Sequence, residues 1–351
     1  MPKFLVLKGC AGLGNRLFTI IDALDYCIST NRKLIVDWSD GQFSEKFSNV
    51  FDEFFTINHP LKHSGSLDDI CKSNDCFPKI WCDKLKHSVY DIYDCGTPKK
   101  YLNYIPFSNY ISYRNTQLWV HNHLIEKYGL DEIDHKKNLS FGQNVLKRIA
   151  SYGLIGMLDS KNMSFGQNLS NKISNEVLIY ADFIPDLKSP QLVKYIKLEK
   201  KIEMEIETWI NKNKLHENSI GLHVRSTDKK PNSDINKLIS YVTTISNDKK
   251  VFLSTDNIQV EKLVKKRMKN VFTYPKVLPI INPGRGLHTW GIDNSNEEFK
   301  KENLRTSIFD MWILSKCKTL FYQGNSSFSV FSKLIHNNKQ NCIDWQTVIK
   351  N

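Results

Sequence analysis

From Ser219 to Trp345 the chain alternates short apolar runs with stretches of helical period. That alternation restricts this part to a doubly wound parallel sheet covered by helices, an α/β fold. The expected strands are Ser219–Arg225, Val251–Asp256, Val271–Tyr274, Thr319–Tyr322 and Asn341–Trp345. Between them, Val260, Leu263 and Val264 mark one helix, while Leu304–Cys317 and Ser326–His336 read as two more. Open sheets of this kind bind ligands in the crevice outside the carboxyl ends of their strands, so the residues at those ends carry the functional question.

The first strand runs into Ile220-Gly-Leu-His-Val-Arg-Ser-Thr-Asp228, which delivers His223, Arg225 and Asp228 to one strand end. A guanidinium there can hold a phosphate through two parallel charge-assisted hydrogen bonds, a geometry lysine lacks. Only eight of the 49 basic residues are arginine, which sets Arg225 apart from general surface charge. The competing assignment is an ion pair between Arg225 and Asp228. Asp256 ends the second strand, and Asn325-Ser326-Ser327 lies between a later strand and the helix it opens. Hydroxyls and free N–H groups at such a helix start suit a phosphate or a ribose. Taken singly, Ser326 is equally an N-cap, Asp256 a cap on the next helix, and Asp310 a surface carboxylate within its helix. Together, Arg225, Asp256 and Ser326 stand at corresponding ends of successive strands, as one site requires. Gly286-Leu-His288, beside Arg285, forms a loop able to close over it.

The first forty residues read as strand, glycine-rich turn, helix and strand. The turn, Gly9-Cys-Ala-Gly12-Leu-Gly14-Asn15, brings backbone N–H groups to a helix start, and Arg16 adds a donor. Gly12, Gly14 and Asn15 are therefore candidate ligand contacts. Asp37, ending the second strand, stands where a dinucleotide fold places its ribose-binding acid. A nicotinamide-dependent oxidoreductase is the alternative this half suggests, although Gly-x-x-Gly-x-Gly is not the dinucleotide order. Residues 56–137 show no clear period, and Ser140–Asn144 recurs as Ser164–Asn168. Pro185 and Pro190 punctuate the chain before an amphipathic helix bearing Ile202, Ile206 and Ile210. Two units are expected, 1–190 and 191–351, with a cleft between them as the binding site.

A net charge of +12 suits an anionic ligand. No zinc-finger or RNA-recognition signature accompanies it, and Lys265-Lys266-Arg267 has the spacing of a solvated helix face, so a nucleic-acid partner is not expected. Phe4–Leu7 is too short for a membrane span or a signal peptide, which points to a cytoplasmic, reducing location. Cys10, Cys27, Cys317 and Cys342 lie in apolar elements and are expected to pack as small hydrophobes. Cys71, Cys76, Cys82 and Cys95 cluster, but their spacings match no zinc pattern, and no metal is expected.

These residues resemble the fucosyltransferases that share three C-terminal motifs, especially the α-1,6-fucosyltransferases and the rhizobial nodulation fucosyltransferase; α-1,2-fucosyltransferases are less similar. The motifs are matched by Gly221-Leu-His-Val-Arg-Ser-Thr-Asp-Lys229, by Phe252-Leu-Ser-Thr-Asp256-Asn257, and by Asp310 to Ser315 followed by the Ser326/Ser327 pair. Lys8–Cys10 and Arg32–Trp38 are similar as well, so the likeness spans roughly residues 1–55 and 215–345. The resemblance implies a GT-B-like pair of Rossmann-like domains with GDP-fucose bound by the C-terminal one, and the N-terminal one on the acceptor side. It implies inverting transfer to a glycan, without metal or other cofactor. It places Arg225 on the β-phosphate and puts His223, Asp228, Asp256, His288, Asp310, Ser326 and Ser327 among the donor contacts. The absence of an Asp-x-Asp triplet agrees. The chain departs from the pattern at two places: Ser226 replaces a second arginine, and Ser233 stands where related enzymes carry a glutamate base. Asp234, next to it, is the substitute catalytic candidate. Ser233 also favours a non-catalytic sugar-nucleotide or glycan-binding protein as a further alternative. Tyr101, Tyr104, Tyr110, Tyr113 and Trp119 can stack on sugar rings or pack in a core.

Overall fold

The computed structural model describes residues 2–89, 175–181, 187–280, 286–287 and 297–349, apart from gaps of one to three residues. The candidates His288, Arg285, Cys95 and the aromatic residues from Tyr101 to Trp119, like the repeated Ser140–Asn144 segment, lie outside the described residues.

Two parallel sheets organise the chain. The first has the order β2-β1-β5-β4, built from β1 (Phe4–Lys8), β2 (Lys33–Asp37), β4 (Cys76–Phe77) and β5 (Val177–Tyr180). Every residue of β1 is buried, as expected of a parallel strand covered on both faces. Helix α1 (Leu13–Thr30) follows the glycine-rich turn and buries Leu17, Ile20, Ile21 and Leu24 along one stripe. It ends where Asn31 takes the left-handed conformation, φ 54°, and donates its N–H to the Cys27 carbonyl.

The second sheet has the order β11-β10-β7-β8-β9, every neighbouring pair parallel. Its strands are β7 (Ser219–Val224), β8 (Lys250–Thr255), β9 (Val271–Phe272), β10 (Thr319–Tyr322) and β11 (Cys342–Asp344). The chain steps outward from β7 to β9, then crosses back to lay β10 on the other side of β7. That reversal makes a topological switch point between β7 and β10, where a doubly wound sheet opens its ligand crevice. Helices α4 (Ile235–Ser246), α5 (Ile258–Arg267), α6 (Glu297–Lys316) and α7 (Ser327–Ile335) connect the strands. Helix α6 starts seven residues before the expected Leu304, because its first two turns, Glu297 to Glu302, carry charge and show no apolar period. In α5, Lys265, Lys266 and Arg267 form the exposed last turn, as their spacing suggests.

The two sheets share one core. A continuous cluster runs from Leu5, Leu17 and Trp38 through Ile206 and Ile210 to Phe252, Ile308, Leu314 and Phe331. Helix α1 lies against α7 at close range. A Cβ on Gly14 would stand 2.6 Å from the Phe328 nitrogen and the Ser327 carbonyl carbon, so only glycine allows this approach. The segment after residue 190 also turns back to the first half: β6 (Ile196–Leu198) pairs antiparallel with β3 (Phe55–Ile57), which follows the single turn α2 (Phe51–Phe54), before α3 (Lys200–Asn213) begins. Cys10, Cys27 and Cys317 are buried as small hydrophobes and Cys342 is half-buried. Cys71 and Cys76 are thiols not engaged in a disulfide. No described helix is long and apolar enough to cross a membrane.

Candidate active site

The carboxyl ends of β7, β8 and β10 bring most of the expected residues together. The Arg225 N–H donates to Gln323 Oε1 at 2.8 Å, which stitches the loop after β7 to the loop after β10 across the switch point. Gln323 is fully buried, and its amide also donates to Asn325 Oδ1 at 2.8 Å. Sequence reasoning did not single out this residue; an amide at a strand end carries no periodic or motif signal.

Arg225 is paired with Asp228. Nε reaches Oδ1 at 2.7 Å and Nη2 reaches Oδ2 at 2.6 Å, a two-pronged carboxylate grip. The expected two-pronged hold on phosphate is therefore corrected. Nε and Nη2 already have a partner, and Nη1 remains without one among the described residues. Asp256 does not cap the helix after it. Asn257 does, accepting from the N–H groups of Gln259 (2.8 Å) and Val260 (3.3 Å). Asp256 instead organises the β7 loop: Oδ1 accepts from the Ser226 N–H at 2.7 Å, Oδ2 accepts from the Thr227 hydroxyl, and Arg225 Nε lies 3.9 Å from Oδ2. Lys229 spans the same gap, donating to the Asn325 carbonyl at 3.0 Å, and burial pushes its amine below the usual lysine range.

Three other expected residues hold buried polar atoms without a hydrogen-bond partner among the described residues: His223 Nδ1, Asp310 Oδ1 and Ser326 Oγ. His223 stacks on Phe328, ring centroids 5.2 Å apart, and burial together with the Arg225 and Lys276 cations pushes its imidazole down to about 3. The ring is neutral at physiological pH. Asp310 is not a surface carboxylate: it is 2% exposed, and Oδ2 accepts from Ser254 Oγ at 2.9 Å and from Lys276 Nζ. Ser254 is the β8 register partner of His223, so His223 and Asp310 belong to the same face of the sheet. Ser326 occupies the N-cap position of α7, yet its hydroxyl makes no capping bond. An unpaired buried polar atom costs on the order of 1–3 kcal/mol, and three in one place call for a partner that is not part of the polypeptide. Ser327, half-buried, opens the helix beside them.

The N-terminal turn reaches this place through Gly14, whose backbone abuts Ser327 and Phe328. Gly12 is the N-cap of α1 with φ −77°, and the left-handed residue of the turn is Ala11 at φ 62°. Asn15 lies in the first turn of α1, its carbonyl accepting from Thr19 Oγ1 at 2.8 Å. Arg16 is corrected: it is 1% exposed and its guanidinium grips Asp40 at 3.1 and 2.6 Å, with Ala11 and Gln42 as further acceptors. Asp37 is corrected too. It is 2% exposed, bonded to Lys8 Nζ at 2.6 Å and to the Ser39 N–H at 3.1 Å, so it cannot meet a ribose. The nicotinamide alternative loses its acid. Asp234 is exposed and its Oδ1 accepts from the Asn236 N–H at 2.7 Å, the bond of a helix cap on α4. Aspartate just before a helical period is a start signal that the sequence reading passed over.

No protein-family model matches the chain, and neither does any curated protein sequence. Solved structures do. The chain is similar to the NodZ alpha-1,6-fucosyltransferase soaked with GDP-fucose, with a TM-score of 0.55 and 19% identity over 95% of this chain and 93% of that one. It is similar to the fucosyltransferase NodZ from Bradyrhizobium, with a TM-score of 0.54 and 18% identity over 95% and 93%. It is also similar to the apo form of POFUT1, with a TM-score of 0.50 and 12% identity over 97% and 96%. At these identities the likeness establishes the fold: two facing parallel α/β sheets in a GT-B-like arrangement.

Proposed function

We propose that this chain is a fucosyltransferase that takes fucose from GDP-fucose and passes it to a glycan acceptor, with inversion and without a divalent metal. The observation that carries the reading is the convergence of His223 Nδ1, Asp310 Oδ1 and Ser326 Oγ, buried and unpartnered, beside Arg225 at a switch point. Folds of this type with GDP-fucose bound, as in the soaked NodZ structure, lend support. So do the three sequence motifs that end on these same residues.

In this reading the neutral His223 and the open oxygen of Asp310 meet the hydrogen-bonding edge of the donor's base. Ser326, Ser327 and the first N–H groups of α7 meet the diphosphate. As the bond from the anomeric carbon to the phosphate oxygen breaks, its electron pair moves onto that phosphate, and the acceptor oxygen bonds to the opposite face of the carbon. Nη1 of Arg225 opposes the charge that develops, with Asp228 fixing the plane of the guanidinium. Lys229 stands beside it as a second cation. This pair supplies the role that a metal fills in other transferases. Asp234 takes no part; the acceptor hydroxyl loses its proton late, to phosphate or water. A cytoplasmic, reducing location belongs to the same reading, supported by buried thiols at Cys10, Cys27 and Cys317.

The test is a thermal-shift screen of GDP, GDP-fucose, GDP-mannose, UDP-sugars and NAD, followed by release of GDP from GDP-fucose. Saturable stabilisation by guanine nucleotides alone is expected. Stabilisation by NAD with no response to GDP would sink the reading. Tight GDP-fucose binding with neither transfer nor slow hydrolysis would point to the non-catalytic binder that Ser233 favours.

A further inference from the structure

Lys276 lies on the loop after β9, outside every motif, yet its ammonium is buried against Asp310, the side chains 9% and 3% exposed. It bonds Oδ2, the oxygen that also accepts from Ser254, so both protein donors crowd onto one oxygen while Oδ1 stays open. We propose that Lys276 is a positioning residue for the donor site: it locks Asp310 as a carboxylate with Oδ1 presented to an N–H group of the bound base. The inference rests on the reading of this site as a nucleoside-diphosphate pocket.

The surroundings show why such a residue is needed. The helix that carries Asp310 packs on β7 and β8, and the loop after β9 brings Lys276 to the carboxylate. The titratable groups around it are His223 on β7, which is neutral, Lys276 itself, and Glu261 of α5, whose charge opposes ionisation. Burial pushes the Asp310 carboxyl up, and the nearby ammonium and the Ser254 hydroxyl pull it back. Loss of the ammonium removes the largest of these pulls toward the charged form, and a carboxyl that carries a proton is no longer a pure acceptor. Lysine suits the place because a compact point charge can sit on one oxygen and leave the other open, where a planar guanidinium favours covering both.

The experiment uses the full chain and GDP as probe, with affinity measured by calorimetry from about pH 6 to about pH 8.5 for wild type, Lys276→Met and Lys276→Arg. Lys276→Met is expected to weaken GDP by about tenfold or more near pH 6, with the ratio to wild type shrinking as pH rises and Asp310 ionises. Lys276→Arg restores the charge and is expected to restore a pH-independent ratio. A Lys276→Met/Asp310→Asn double variant, which buries no charge at this spot, shows no pH-dependent ratio if the inference holds. A ratio for Lys276→Met that stays flat with pH, or equals one, overturns it. Carbon-13 titration of Asp310 in the ligand-free protein separates the two layers. If wild type does not bind GDP, the pocket reading fails by itself, whereas an Asp310 signal that titrates identically with and without Lys276 overturns the role given to the lysine.

Discussion

The carboxyl ends of the two sheets treat their buried polar groups in opposite ways. At the N-terminal turn every group is matched: Arg16 with Asp40 and Gln42, Asp37 with Lys8 and Ser39, all deeply buried. At the second sheet His223, Asp310 and Ser326 are equally buried and each leaves an atom unmatched. A glycine-rich turn with an arginine and a strand-end aspartate also reads from sequence as an anion site. The bonding pattern sets the two places apart. Saturated polar clusters hold a fold together, while unsaturated ones mark where something else must bind.

Substitutions can break this contrast. The largest effect is expected from Arg16→Met, which strands the buried Asp40 carboxylate, already pushed up by burial, and should cost about 3–5 kcal/mol in urea unfolding. GDP affinity of the folded fraction should move far less. Arg225→Lys is expected to do the reverse, lowering turnover of GDP-fucose by on the order of a hundredfold with little change in melting temperature. If that variant keeps full activity, the phosphate is held elsewhere. Ser326→Ala sharpens the point, since removing a hydroxyl that bonds nothing should leave stability unchanged or raise it by about 1 kcal/mol while weakening GDP severalfold. A stability loss as large as that of an ordinary buried hydrogen bond would mean the hydroxyl has a partner in the protein. The last effect is absent at neutral pH and shows only on acidification. The His223 ring titrates near 3 in the folded chain, below the 6.5 of the unfolded one, so the unfolded state binds the extra proton between those values. The stability it contributes is complete above pH 6.5 and is lost as pH falls toward 3, with a slope of at most about 1.4 kcal/mol per pH unit. His223→Asn should melt with a shallower acid slope than wild type; equal slopes would place the ring in water.

Much of this was legible in the sequence where one physical rule dominates. Apolar runs such as Ile220–Val224 and Val251–Leu253 mark parallel strands because both faces must be covered, and the structure places them where the runs stand. The convergence of Arg225, Asp256 and Ser326 was visible because strand ends in such a sheet share an edge. What escaped were the partners. Whether Asp37 faces a ligand or Lys8, and whether Arg225 offers its whole fork or has already given it to Asp228, depends on side-chain packing between distant segments. Gln323 and Lys276 escaped for a different reason: each acts by holding another residue, and neither position has a local pattern to betray it.

The short ladder between β3 and β6 has a practical consequence. Cutting the gene at the proline-marked junction near residue 190 would hand the downstream fragment a lone ribbon whose mate stayed upstream, along with half of an interior built by both pieces. Such a fragment would expose an unpaired edge and a greasy flank, and it should be sought in the pellet.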